Sequence, residues 1–189
     1  MADVVQARVD RIAGAIIGLR EETGSDGSAD ALESDRAWKA QGATRLNDSV
    51  PLSLAVSADD LALIAAAHDV LARHYKPFWH TVAAAIRSDD GRVWTGLHLG
   101  ATVGRLAVCA EAVALGRALL EGAVRVEAVV AVRHPKPDEA DRQLAVVPPC
   151  GACREMFVDH CPDARVIVRG PGGLTKVPVR DLLPLPYRR

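Results

Sequence analysis

Apolar side chains recur along this chain with two periods, and the changes of period mark out its elements. Over residues 1–20, Val5, Val9, Ile12, Ile16 and Leu19 fall at helical spacing, which predicts an amphipathic helix. Residues 21–35 break that pattern with six acidic side chains, no basic ones and the run Gly24-Ser25-Asp26-Gly27-Ser28, a composition that reads as a linker. Periodicity resumes after Pro51. Ser57 precedes Asp59-Asp60 as an N-cap with acids in the first turn, and Leu61, Ile64, His68 and Leu71 continue one helical face. His80 to Arg87 and Arg92 to Leu97 read as strands flanking the hairpin signal Ser88-Asp89-Asp90-Gly91. A second helix fits Cys109 to Glu121, ended by Gly122, and Val124 to Val132 reads as a buried strand. Past the loop His134-Pro135-Lys136-Pro137, a short apolar run reaches Val147. After Pro148-Pro149 a third helix covers Ala152 to His160. Arg165 to Arg169 and Leu174 to Pro178 read as strands around the turn Pro171-Gly172-Gly173.

From Ser57 onward the order is α-β-β-α-β-α-β-β, which predicts an α/β fold with helices packed on a mixed sheet. The chain divides into residues 1–50, an N-terminal helix plus acidic linker forming an appendage, and residues 51–189, a single domain. A length of 189 residues suits one core. Apolar residues at 49% and charged residues at 25% exclude a mainly disordered or collagen-like chain. The net charge of −1 provides no basic field toward nucleic acid or anionic membrane, and 4% aromatics speak against a base-stacking platform. No stretch approaches the roughly 20 apolar residues of a membrane helix. The apolar patch Ile12 to Leu19 is bracketed by Arg11 and Arg20 and followed by acids, unlike a signal peptide. The expected compartment is the cytoplasm, where thiols stay reduced and free to bind metal.

Chemistry concentrates in two short segments, Cys109-Ala110-Glu111 and Pro149-Cys150-Gly151-Ala152-Cys153. A Cys-x-x-Cys turn at a helix N-terminus brings two sulfurs close enough to share a metal, and the free backbone N–H groups there favour thiolate. Cys109, at the start of another helix, adds a third soft ligand. Three protein ligands leave zinc one open tetrahedral position, the mark of a catalytic site. Glu111, two residues past Cys109, can point across the metal and shuttle a proton. Cys150 and Cys153 alone would read as a structural zinc knuckle or a redox pair, but neither has a use for Cys109-Ala110-Glu111. Cys161 lies eight residues beyond Cys153, roughly 12 Å along a persisting helix, too far to close a four-sulfur site. His160 and Cys161 are expected to be structural, as are Trp79 and Trp94.

This joint pattern is the zinc deaminase signature in its all-cysteine form. From about Pro51 to Tyr187 the chain resembles the cytidine deaminase family, in its small all-cysteine zinc branch. The matching elements are the hairpin ending at Gly96, Cys109-Ala110-Glu111, and Pro149 to Arg154. Within that branch it is most similar to the blasticidin S deaminase group, on Pro51-Leu52-Ser53, the Pro149 to Arg154 run, Val179 to Pro184, and Tyr187. The resemblance implies a cytidine-deaminase-like sheet packed between helices and a hydrolytic deaminase that holds one Zn2+ per subunit through Cys109, Cys150 and Cys153. Glu111 would be the acid/base, and the Ala110 backbone would hold the pyrimidine edge. Arg154 would offset the charge of the sulfurs. The partners implied are a small-molecule substrate and further copies of the chain in a homo-oligomer, a tetramer by resemblance, with no nucleic acid and no membrane.

Some positions depart from that pattern. The Asn and Glu that hold ribose hydroxyls in the family are replaced by His98 and Gly100, and an aromatic before the first core strand is replaced by His80. A site lacking a hydrogen-bonding pair loses preference for the group the pair held. The expected substrate is therefore a free cytosine-bearing molecule, either a cytidine-like nucleoside or a blasticidin S-like aminonucleoside, with His98 and His80 nearest its appendage. The alternatives are another amino-heterocycle, or a zinc-stabilised binding module without catalysis.

Overall fold

A computed structural model describes residues 54–187. The predicted N-terminal helix, the acidic linker and the boundary at Pro51 lie outside the described residues. So do Pro51-Leu52-Ser53 and the terminal Arg188-Arg189. The elements in chain order are β1 (Leu54–Ala55), α1 (Ala58–His74), β2 (Val82–Ser88), β3 (Val93–Leu97), α2 (Ala110–Leu120), β4 (Val126–Arg133), β5 (Ala145–Val147), α3 (Gly151–His160), β6 (Arg165–Gly170) and β7 (Gly173–Pro178). Short 3₁₀ turns cover Gly104–Leu106 and Val179–Leu182. All eight elements predicted from Ser57 onward are present, with β1 and β5 in addition.

The strands form one sheet in the order β1-β7-β6-β4-β2-β3. Strand β4 is the hinge of this arrangement. It pairs antiparallel with β2 along its length; on its other edge β6 lies parallel at Ala128 and Val129, and β5 lies antiparallel from Ala131 to Arg133. Alternate β4 side chains serve two cores. Ala128, Val130 and Val132 face α1 with Leu63, Ile64, Ala67 and Leu71, while Val129 and Ala131 face α2 and α3 with Ala114, Leu115 and Phe157. Burial on both faces explains why this strand is a nearly unbroken apolar run.

Helix α1 starts at Ser57 with a reciprocal capping box: the Ser57 hydroxyl accepts from the Asp60 N–H, and Asp60 accepts from the Ser57 N–H at 2.8 Å. The same carboxylate, fully buried, accepts from Arg87 at 3.0 Å and Lys176 at 2.7 Å, tying α1 to β2 and β7. A bulge between Arg87 and Ser88 turns Glu127 toward Arg87, whose Nε donates to it at 3.0 Å.

Helix α2 lies against the hairpin with no gap. A Cβ at Gly96 of β3 would stand 2.9 Å from the Ala114 Cα and closer still to Ala110 O and Ala114 N. Only glycine lets the helix backbone approach the strand this closely. The first turn of α2 is thereby held over the end of β3.

Candidate active site

Two helix N-termini meet above the strand ends. Cys109 is the N-cap of α2 and Cys150 the N-cap of α3, both with extended backbone, and neither side chain caps its own helix. Their sulfurs are thus free of the usual capping role and lie 3.6 Å apart. That is far longer than the roughly 2.05 Å of a disulfide. Cys153, on the first turn of α3, completes a cluster whose three sulfurs lie within 4.8 Å of one another. Cys161 is outside this cluster and buried under the end of α3, as expected of a structural thiol, with burial pushing its pKa up to about 12.

Strand β5 explains how the Cys-x-x-Cys turn reaches this place. Starting opposite Arg133 at the end of β4, β5 runs back to Val147 opposite Ala131, which delivers Pro148 and Pro149 alongside the middle of β4, and α3 begins two residues later. Arg154 braces the turn from behind: its Nε donates to the Pro149 carbonyl at 2.9 Å and its Nη1 to the Leu182 carbonyl at 3.1 Å. Its guanidinium therefore joins the cysteine turn to the C-terminal 3₁₀ turn.

Glu111 is only 5% exposed. Burial pushes its carboxyl pKa up, more than its own backbone N–H and Cys153 push it down. Burial also raises the Cys153 thiol, helped by the negative potential of Glu111 and the neighbouring sulfurs, and raises Cys109, with Cys150 adding to it. For Cys150, burial opposes the thiolate, but the backbone N–H and thiol of Cys153 and the thiol of Cys109 outweigh it and lower the pKa. Three sulfurs and a carboxylate thus lie together as one anionic donor set. Such a set suits a dication, which deprotonates and gathers soft ligands. The donors fit zinc: Zn–S bonds of about 2.3 Å at tetrahedral angles place sulfurs roughly 3.8 Å apart, which the 3.6 Å pair approaches.

The two histidines lie together just past β2 and β3. His80 Nδ1 donates to the His98 carbonyl at 2.9 Å, and the Thr81 hydroxyl meets His98 Nδ1 at 3.3 Å. Burial, with the adjacent His80, lowers the His98 pKa. His80 stands two residues before β2 and His98 directly after β3. The reciprocal bridge Leu99–Val108 then closes the loop, with His98 one residue before it and Cys109 one residue after it. Ala110 is fully buried beneath.

Three details went unforeseen. His80 does not begin a strand: it closes a tight turn by bridging Lys76, and β2 starts at Val82. Trp94 is a packing residue as expected, 3% exposed with its indole N–H on Glu121. Trp79 is not: its ring is 41% exposed, with the Lys76 ammonium 5.6 Å from the ring centre. Its backbone carries the contact that matters, because the Gly100 N–H donates to the Trp79 carbonyl at 2.7 Å and a Cβ at Gly100 would stand 2.5 Å from Phe78 O. Position 100 has no room for a side chain. The sequence signal was Gly100 paired with the bulky run Phe78-Trp79.

An α/β sheet that presents three thiols at two helix N-termini beside a buried carboxylate defines a class of metal-centred hydrolytic enzyme. Residues 57–169 match the cytidine and deoxycytidylate deaminase zinc-binding region. Over 134 residues the chain is 42% identical to blasticidin-S deaminase of Bacillus cereus, covering 71% of this chain and 96% of that protein. Among solved structures, cytidine deaminase of Burkholderia pseudomallei aligns with a TM-score of 0.54 and 29% identity over 67% of this chain and 97% of that one. Cytidine deaminase of Mycobacterium tuberculosis aligns with 0.53 and 28% over 67% and 95%. The chain belongs to the cytidine and deoxycytidylate deaminase family, and is an enzyme of that zinc-dependent hydrolytic kind.

Proposed function

We propose that this protein hydrolytically deaminates a free cytosine-bearing small molecule, a cytidine-like nucleoside or a blasticidin S-like aminonucleoside, with release of ammonia. The observation that carries this reading is the convergence of Cys109, Cys150 and Cys153 within 4.8 Å beside the buried Glu111. Cys109, Cys150 and Cys153 hold one zinc per subunit. Bound zinc supplies the Lewis acidity that activates water for attack on the amino-bearing ring carbon.

Glu111 carries the protons. It accepts one proton from the attacking water and passes it to the ring nitrogen, then takes the remaining proton of the added hydroxyl and passes it to the departing amine. Its burial suits this work, since burial pushes the carboxyl above its ordinary range and lets it hold a proton more readily than a solvated carboxylate. The Ala110 backbone, at the first position of α2, orients the pyrimidine edge. His98 and His80 meet the appendage, and Arg154 holds the Cys150 turn in position through Pro149.

The likeness to Bacillus cereus blasticidin-S deaminase supports an appended cytosine as substrate, and the absence of room at position 100 argues against a ribose grip there. The protein acts as a homo-oligomer, a tetramer by family resemblance. The apolar side chains Leu106, Leu120 and Val124, 66%, 88% and 96% exposed, are surface for such contacts. The free thiols suit a reducing cytoplasm. Among the described residues no helix is long and apolar enough to cross a membrane.

The test is ammonia release by zinc-loaded protein from cytidine, deoxycytidine, cytosine, blasticidin S and a set of amino-purines and amino-triazines. Turnover confined to cytosine compounds, abolished by chelation and restored by zinc, is the expected result. Turnover confined to the other heterocycles overturns the substrate class, and silence across the panel with zinc bound overturns the activity.

A further inference from the structure

The strand ends enclose a second hollow that the reading above leaves unused. Its volume is about 510 Å³, and its wall includes Tyr75, Phe78, Thr81, Arg133, His134 and Lys136. That size lies within the range of small-molecule sites.

The hollow is joined to the candidate active site through Thr81. This residue lines the hollow, and its hydroxyl meets the His98 ring, which precedes the Leu99–Val108 bridge leading to Cys109. The opposite wall is fixed to the same point, because the His134 N–H donates to the Thr81 carbonyl at 2.9 Å. The His134 ring stacks on Tyr75 with centroids 3.5 Å apart and planes 17° from parallel, presenting one flat surface.

Phe78 lines the hollow from a strained turn. Its φ is +66°, a left-handed backbone rare for a bulky side chain, and its ring is 80% exposed. The turn holding it is built firmly. Lys76 and His80 bridge its base, the Gly100 N–H donates to Trp79, and the missing side chain at Gly100 is what admits the Phe78 carbonyl. A rigid frame that displays an aromatic ring to solvent in a strained backbone is a feature of ligand sites.

Charged side chains also line the hollow, Arg133, Lys136 and Asp138, but the exposed surface of its wall is chiefly apolar. Arg133 Nη1 donates to both Glu139 oxygens at 2.8 and 2.9 Å, and the Lys76 ammonium lies over Trp79. What remains open to a ligand is chiefly ring surface and proline.

From this arrangement we infer that the hollow receives the part of the substrate joined to the cytosine ring, that this part is a bulky ring-bearing group with an apolar face, and that Phe78 is its specificity-determining contact. The inference rests on the deaminase reading above.

The experiment compares wild type, Phe78→Ala, Phe78→Leu and His134→Ala as zinc-loaded full-length proteins. The kcat/KM for blasticidin S, a cytosine with a ring-bearing appendage, is measured against that for cytosine itself. Phe78→Ala lowers the ratio by about tenfold or more, mostly through KM; His134→Ala lowers it less, and Phe78→Leu restores most of it. An unchanged ratio overturns the inference, including when Phe78→Ala alters the oligomer, which marks the hollow as a subunit contact. If wild type deaminates no cytosine compound, the deaminase reading fails by itself, and calorimetry of blasticidin S against the same proteins decides the hollow. A loss of affinity of about tenfold in Phe78→Ala supports it, whereas equal affinity or no binding overturns it.

Discussion

Replacing Gly96 with alanine is a test of how closely the site depends on backbone packing. The added Cβ would lie 2.9 Å from the Ala114 Cα and closer to Ala110 O and Ala114 N, where ordinary carbon contacts are about 3.5–4.0 Å. All three atoms are backbone, so no side-chain rotation relieves the clash. The first turns of α2 must lift by about 1 Å, carrying Cys109, Ala110 and Glu111 with them. Overpacking of this kind costs about 1–3 kcal/mol, or about 3–10 °C in Tm for a domain of this size. The effect on chemistry is larger, since a misplacement of about 1 Å costs on the order of 100-fold in rate. Calorimetry and ammonia release on the zinc-loaded variant measure the two effects. Gly116→Ala on α2 is the control: a Cβ there meets nothing within 4 Å, so it stabilises the helix by up to about 1 kcal/mol. If Gly96→Ala melts within 1 °C of wild type (about 0.3 kcal/mol) and keeps its rate within about twofold, α2 is not seated on β3 as described.

Other consequences follow from buried groups. Asp60→Asn leaves Lys176 and Arg87 without their shared anion and lowers stability by about 3–5 kcal/mol, with zinc content unchanged by elemental analysis. Burial opposes the Asp60 charge, but Lys176, the Ser57 N–H, Arg87 and the Ser57 hydroxyl together hold its pKa below 3.8 in the fold. Its contribution is therefore present above that value and is lost as pH falls below it, so wild type loses stability in acid melts below pH ~4 while Asp60→Asn shows a weaker slope there. Arg154→Ala strips two carbonyls of a charged donor, and loses about 1.5–3 kcal/mol by denaturant titration together with about tenfold or more in zinc affinity by competition with a chelator. Cys161, buried with its thiol pushed up to about 12, stays unmodified by a thiol reagent in the native protein and reacts only on unfolding, as mass spectrometry of the labelled peptide will show.

Much of this architecture was legible because local chemistry and global packing agree. Ser57 and Asp60 announce α1 within four residues, and the valine run of β4 declares a strand buried on both faces. The cysteine spacing was readable for a similar reason, since both cysteine segments coincide with helix starts. What escaped the sequence is set by partners far along the chain. Two residues, Leu54 and Ala55, become a strand only because Thr175 and Lys176 lie beside them. The run Ala145–Val147 is too short to assert a period and is a strand because the end of β4 has an open edge. The Phe78 turn was unreadable for another reason. Its backbone conformation contradicts the preference of its own residue and exists because Gly100, 22 positions away, leaves space for it.

The central claim is that Glu111 moves protons at a metal held by three cysteines. It is tested most directly by ammonia release from the cytosine panel by wild type and Glu111→Gln, each at matched zinc content. Glutamine keeps the shape of the side chain and cannot carry the proton. The account predicts that Glu111→Gln binds zinc and substrate with little change and loses about 100- to 10,000-fold in kcat. Full activity in Glu111→Gln at equal zinc content would contradict it.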